Sequence, residues 1–158
     1  MTIKKITIAH KEKGALYFPF VLALCEILEY MSTDMYLPCI PSVMREFGVS
    51  EAVAHWTMVM WFIGAGSMTL FLGYFSDLIG RRKVFFTGII IFTLTAFLAS
   101  NAFTISLLLI AFFFMGAGLC FILVGGYTTI HSLYSSRKTV KVLATILSFT
   151  VLAPALGP

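Results

Sequence analysis

Apolar residues in this chain come in long blocks, not in alternating or heptad patterns. Five blocks run over residues 16–37, 54–75, 84–100, 105–126 and 142–157. Each approaches the roughly 17–25 residues that a helix needs to cross the hydrocarbon of a bilayer. No lysine or arginine lies inside any of them. Lipid offers no partners for open backbone groups, so such blocks are expected to be helices. The pattern predicts an all-α integral membrane chain. A polar tail over residues 1–14 precedes a membrane region over 15–158, which holds five transmembrane helices, the fifth at a truncated C-terminus.

Composition points the same way. Of 158 residues, 59% are apolar and only 11% charged, whereas an ordinary soluble domain carries about 25% charged residues. A fold of this size still leaves about a third of its unfolded surface exposed, and that surface could not hide so much apolar area. A soluble domain, a disordered chain and a disulfide scaffold are excluded, and a lipid bilayer is the expected surrounding. Cys25, Cys39 and Cys120 are too far apart for a zinc or redox motif. His55 and His131 have no second ligand at metal spacing. There is no Ser-His-Asp set and no glycine-rich nucleotide loop, so neither an enzyme, a metal site nor a cofactor is expected.

The net charge of +4 raises the question of nucleic acid, and the placement of the charges answers it. Lys4, Lys5, Lys11 and Lys13 precede the first span; Arg81, Arg82 and Lys83 follow the second; Arg137, Lys138 and Lys141 follow the fourth. Only Arg45 lies on the other side, so ten of the eleven basic residues share one side of the membrane. The positive-inside rule puts that side, with the N-terminus, in the cytoplasm. The basic balance is thus a topology signal, and no nucleic-acid partner is implied. The basic start and apolar run also lack the form of a secretory signal: the run is too long and holds Glu26, Glu29 and Asp34.

Those three acids are the candidate chemistry. A carboxylate at mid-membrane costs roughly 2.5–3.5 kcal/mol on insertion scales, so its presence asks for a reason. At helical spacing Glu26, Tyr30 and Asp34 form a drifting i, i+4, i+8 row, and Glu29 flanks it, placing the acids on one face about 140° wide. Glu26 sits near the middle of the span, and Asp34 lies roughly 12 Å further along the axis. With no basic residue in any span, Glu26 has no cation in this chain, and desolvation favours its protonated form. A carboxyl that takes up and releases a proton in a polar cavity suits a proton-coupled carrier and attracts cationic substrates. A protonated carboxyl that only hydrogen-bonds a neighbouring helix would serve assembly instead.

The second signature is Gly73-Tyr74-Phe75-Ser76-Asp77-Leu78-Ile79-Gly80-Arg81-Arg82-Lys83, between spans two and three. Gly73 permits close helix approach, Gly80 permits a tight turn, and Asp77 suits a helix N-terminus or an arginine. Gly64, Gly66, Gly116, Gly118, Gly125 and Gly126 read as helix-contact residues. Trp56, Trp61 and Tyr127 read as interface or packing aromatics, and Tyr30 as a cavity-lining residue.

The run Gly-x-x-x-Asp-x-x-Gly-Arg-Arg between spans two and three resembles the signature loop of the major facilitator superfamily. Ser32-Thr33-Asp34-Met35-Tyr36-Leu37-Pro38, followed by Pro41, resembles the first-span ending of its drug:proton antiporter branch, the Bcr/CflA-type and MdfA-like multidrug carriers. The resemblance covers nearly the whole chain. It implies the N-terminal part of a helical-bundle carrier of the bacterial inner membrane, in which Glu26 and Asp34 serve proton coupling and cation recognition, with Tyr30 and Glu29 beside them. It also implies that Gly73, Asp77, Gly80, Arg81 and Arg82 latch the two halves of the carrier. Gly157 and Pro158 resemble the start of the antiporter motif of span five.

By that resemblance the coupling ion is a proton, the substrates are lipophilic or cationic drugs, and the remaining partner is the missing C-terminal part of the transporter. The 158 residues alone are then not expected to transport. The family usually carries an arginine four residues before the glycine matched by Gly116, and this chain has Phe112 there. That departure fits a divergent carrier or a decaying remnant. The alternative reading is a small multi-span membrane protein that binds a partner without moving solute.

Overall fold

The computed structural model describes residues 2–134 and 136–150, and every regular element among them is helical. α1 spans Thr2–Tyr36, a 3-10 turn covers Leu37–Cys39, and the short α2 spans Ile40–Phe47. Then come α3 (Glu51–Ile79), α4 (Arg81–Ser100), α5 (Ile105–Leu133) and α6 (Ser136–Thr150). α4 and α5 have, among the described residues, the length and apolar composition needed to cross a membrane. The part of the fifth block beyond residue 150 lies outside the described residues, and so do Gly157 and Pro158.

Helix ends follow local chemistry. Gly48 adopts φ +62° and stops α2, while Pro41 stands in its first turn, the asymmetry expected of proline at the start and glycine at the end. Thr104 accepts from the Leu107 N–H at 3.3 Å and caps α5. The connection between α3 and α4 is shorter than the charge pattern suggests: it is Gly80 alone, at φ +95°. Its N–H donates to the Ser76 carbonyl while its own carbonyl accepts from Lys83 and Val84. Residues 81–83 therefore form the first turn of α4 and are not a loop. Likewise α1 begins at Thr2, so the basic tail is helical and not a separate irregular segment.

α5 is the core helix, with an unbroken buried run from Gly116 to Cys120. Its glycines admit neighbours on three sides. A Cβ on Gly116 would overlap the Trp61 carbonyl of α3, and one on Gly64 would overlap the Phe113 carbonyl of α5. Toward α4, a Cβ on Gly88 would stand 2.7 Å from the Ile122 nitrogen, and one on Gly125 2.7 Å from the Phe85 nitrogen. Toward α1, Gly126 receives the fully buried Leu22 side chain. In lipid, helix association rests on such close packing, because the tails are as apolar as leucine. Gly66 departs from the sequence expectation: the space beside it is open, so it makes no helix contact.

These pairings fix directions. Phe85 meets Gly125 and Phe92 meets Gly118, so α4 runs against α5. Leu22 meets Gly126 and Tyr36 meets Phe112, so α1 also runs against α5. Pro19 shares a crevice with Val142, and Glu26 bonds Thr150, so α1 and α6 run parallel. The start of α1, the α3–α4 turn and the start of α6 thus lie at one end, which gathers the basic clusters there. Leu70, Leu94 and Phe97 project from the outer faces, a surface suited to lipid.

Candidate functional site

Leu22 and Glu26 are one turn apart on α1 and share the stripe that packs against α5 and α6. Glu26 is accordingly 2% exposed. Its Oε2 accepts from Thr150 Oγ1 of α6 at 3.0 Å, and its Oε1 is buried with no hydrogen-bond partner. The Tyr127 hydroxyl of α5 lies close enough to interact with the Glu26 carboxyl as a hydrogen-bonding group, and Cys25 and Glu29 of α1 lie within its electrostatic reach. Among the described residues no ion pair involves Glu26; the one pair found is His55 with Glu51 at 3.7 Å.

The acidic face is divided rather than gathered. Glu29 turns away from the Thr150 seam into a cavity of about 340 Å³ at the far end of the bundle from the basic clusters. Its walls include Tyr36 of α1, Trp61 of α3, Phe92 of α4 and Phe112 of α5, and Glu46 of α2 reaches its rim. Tyr30 lines none of this cavity and is 45% exposed, and Asp34 is half-buried beside it. Tyr30 nonetheless lies within electrostatic reach of Tyr127 on α5.

Phe112, at the position where the family carries arginine, is 7% exposed and packs on the ring of Tyr36. The Tyr36 hydroxyl donates to Thr57 Oγ1 at 2.9 Å, and Thr57 passes its hydrogen to the Ala54 carbonyl at 2.7 Å. The aromatic pair and this two-step chain join α1, α3 and α5. Trp61 is a packing aromatic as expected, 9% exposed, whereas Tyr127 is more than that because it faces Glu26.

In the second signature, Gly80 makes the α3–α4 turn, Arg81 and Arg82 are exposed at the start of α4, and the backbone at Gly73 and Asp77 is helical. Three basic residues at a helix N-terminus oppose the helix dipole, so membrane topology or function, not helix stability, accounts for them. Sequence reasoning missed Thr150, Thr57 and α2. The Pro41 and Gly48 pair is the signal that could have found α2. For the two threonines no local signal exists, since each matters through a residue more than 20 positions away.

Residues 22–158 match the Major Facilitator Superfamily. The chain is similar to the multidrug resistance protein MdtM of Escherichia coli, with 36% identity over 150 residues, covering 94% of this chain and 36% of that protein. It is 33% identical to the chloramphenicol resistance protein CraA of Acinetobacter baumannii over 156 residues, covering 99% of this chain and 38% of the relative. The multidrug transporter MdfA of Edwardsiella piscicida is 35% identical over 148 residues, covering 92% and 36% respectively. The chain spans a little over a third of the length of these curated relatives.

Proposed function

The chain belongs to the Major Facilitator Superfamily, and from that premise we propose that it supplies the first helices of a bacterial inner-membrane carrier that exchanges protons for lipophilic or cationic drugs. The observation that carries this reading is Glu26: a carboxyl 2% exposed in a membrane helix, with one oxygen unpartnered. Burying such a group is expensive, and in membrane proteins it marks an ion or proton pathway. The drug-resistance names of the relatives support the substrate class. The reading is of a carrier and not of an enzyme.

In this mechanism Glu26 takes up the proton, and Asp34, nearer the end of α1, shares recognition of the cation. Glu29 and Tyr30 flank them. Gly73, Asp77, Gly80, Arg81 and Arg82 form the latch at the basic end, which holds against a second bundle when the carrier faces outward. Carriers of this kind work by rocking one helical repeat against another around a midplane site. The helices of this chain therefore need those that occupy the rest of the relatives' length. The N-terminus lies in the cytoplasm, where the basic clusters gather.

The test joins this chain to the remaining portion of MdtM and assays everted membrane vesicles for uptake of tetraphenylphosphonium. Uptake is expected from the joined protein, absent from the chain alone, and abolished by collapsing the proton gradient. Glu26→Gln keeps the side chain's size and removes its titration, so cation binding and cation-induced proton release both fall. Asp34→Asn gives a partial loss, and Glu29→Gln a small one. Unchanged transport and proton release in Glu26→Gln would remove Glu26 from the mechanism, because a neutral amide satisfies a structural hydrogen bond as well as a protonated acid.

A further inference from the structure

Thr150 has one hydroxyl hydrogen and two acceptors within reach. Its Oγ1 lies 2.9 Å from the Ile146 carbonyl, one turn back on α6, and 3.0 Å from Glu26 Oε2 on α1. The hydrogen aligns with one of them at a time. With the hydrogen on Ile146, the contact to Glu26 is a hydrogen bond only when the carboxyl brings its own proton. An ionised Glu26 is acceptor-only: the Tyr127 hydroxyl of α5 is one donor near it, and Thr150, the donor at Oε2, turns its hydrogen to that oxygen, so the Ile146 carbonyl loses its side-chain bond. Glu26 is 2% and Thr150 3% exposed, so no bulk water is at hand as a substitute donor.

The other titratable groups facing Glu26 are Cys25 and Glu29 on α1 and Tyr127 on α5. None is a cation, so none of them pins the carboxyl in its ionised form. A threonine that bonds back to the i−4 carbonyl bends its helix. We infer that Thr150 is a positioning residue that transmits the charge state of Glu26 to the backbone of α6. Protonated Glu26 leaves Thr150 back-bonded and α6 bent; ionised Glu26 draws the hydroxyl away and relaxes the turn from Ile146 to Thr150. No proton leaves Thr150: only the direction of its hydrogen changes. The inference rests on the reading of Glu26 as a protonation site and adds how that proton reaches a second helix.

The experiment uses the full chain in lipid bilayers, with a carbon-13 carbonyl at Ile146 observed through its bond to nitrogen-15 Leu147 and assigned by Ile146→Val. The Ile146 resonance is expected to move with pH in step with the infrared carboxyl band of Glu26, itself assigned by its absence in Glu26→Gln. Thr150→Ser keeps the movement, and Thr150→Val abolishes it while the Glu26 band still titrates. Thr150→Ala gives the same comparison if the valine variant does not insert. An Ile146 resonance that moves equally in the valine variant, or stays still in the native chain while Glu26 titrates, overturns the inference alone. A Glu26 band unchanged across the pH range overturns the proton role as well, and the relay with it.

Discussion

The ring of Phe112 lies 4.6 Å, centroid to centroid, from that of Tyr36, tilted by 51°. Where the family resemblance implies a guanidinium, this chain has a ring that packs on α1 and forms one wall of the cavity that Glu29 enters. The pair ties the end of α1 to α5, and the Tyr36 hydroxyl extends the tie to Thr57 of α3. In this chain the residue at that position has a packing role.

Removing that contact is expected to weaken the bundle measurably. Phe112→Ala should lower stability by about 2–3 kcal/mol, at the low end for a buried phenylalanine because lipid removes the hydrophobic part of the term. Tyr36→Phe keeps the ring and loses one hydrogen bond, which costs about 1 kcal/mol. Denaturation of the chain in mixed detergent micelles measures both, and equal losses would contradict the separate roles assigned to ring and hydroxyl.

Glycine positions separate contact from open space. Gly116→Ala drives a methyl into the Trp61 carbonyl, so α3 and α5 must separate, at a cost of about 3 kcal/mol or more. Gly66→Ala meets nothing within 4 Å and should gain up to about 1 kcal/mol from helix propensity. Thermal melting of the two variants side by side decides the matter, and a Gly66→Ala loss as large as that of Gly116→Ala would refute the packing described.

The one-residue turn makes a third test. Gly80 sits at φ +95°, where a side chain is strained by about 1–3 kcal/mol. Gly80→Ala should destabilise the α3–α4 hairpin and raise proteolytic cleavage after Arg81 and Arg82. The open space around the residue means that backbone strain, not collision, is the cause. Cleavage at the native rate would show that the turn tolerates an L residue.

Topology gives the fourth. With ten of eleven basic residues on one side, a membrane-impermeant maleimide added to whole cells should label the exposed Cys39. A cysteine introduced as Lys83→Cys should react only after the membrane is opened. Labelling of the Lys83 position from outside would invert the orientation read from charge.

Much of this protein was legible from linear pattern alone. Helices were readable because lipid forces every uninterrupted apolar block to satisfy its backbone internally. The basic end was readable because charge asymmetry acts over whole segments. The weight of Glu26 was readable because an acid in an apolar block is costly wherever the chain puts it. Local pattern also located Gly80, though the turn proved to be that residue alone and its arginines the opening of α4.

What needed the tertiary structure was partnership. Glu26, Glu29 and Asp34 share one helix face in projection, yet only Glu26 falls on the stripe that α5 and α6 cover, because neighbours cover a narrower arc than the face itself. Thr150 stands 124 residues from Glu26 in sequence, and nothing in its own surroundings distinguishes it from the other helix threonines that bond back to their own turn. Gly66 and Gly64 are two positions apart and look equivalent in the sequence, but α5 passes over one and not the other. Periodicity states which side a residue is on; only the placement of a second helix decides what that side meets.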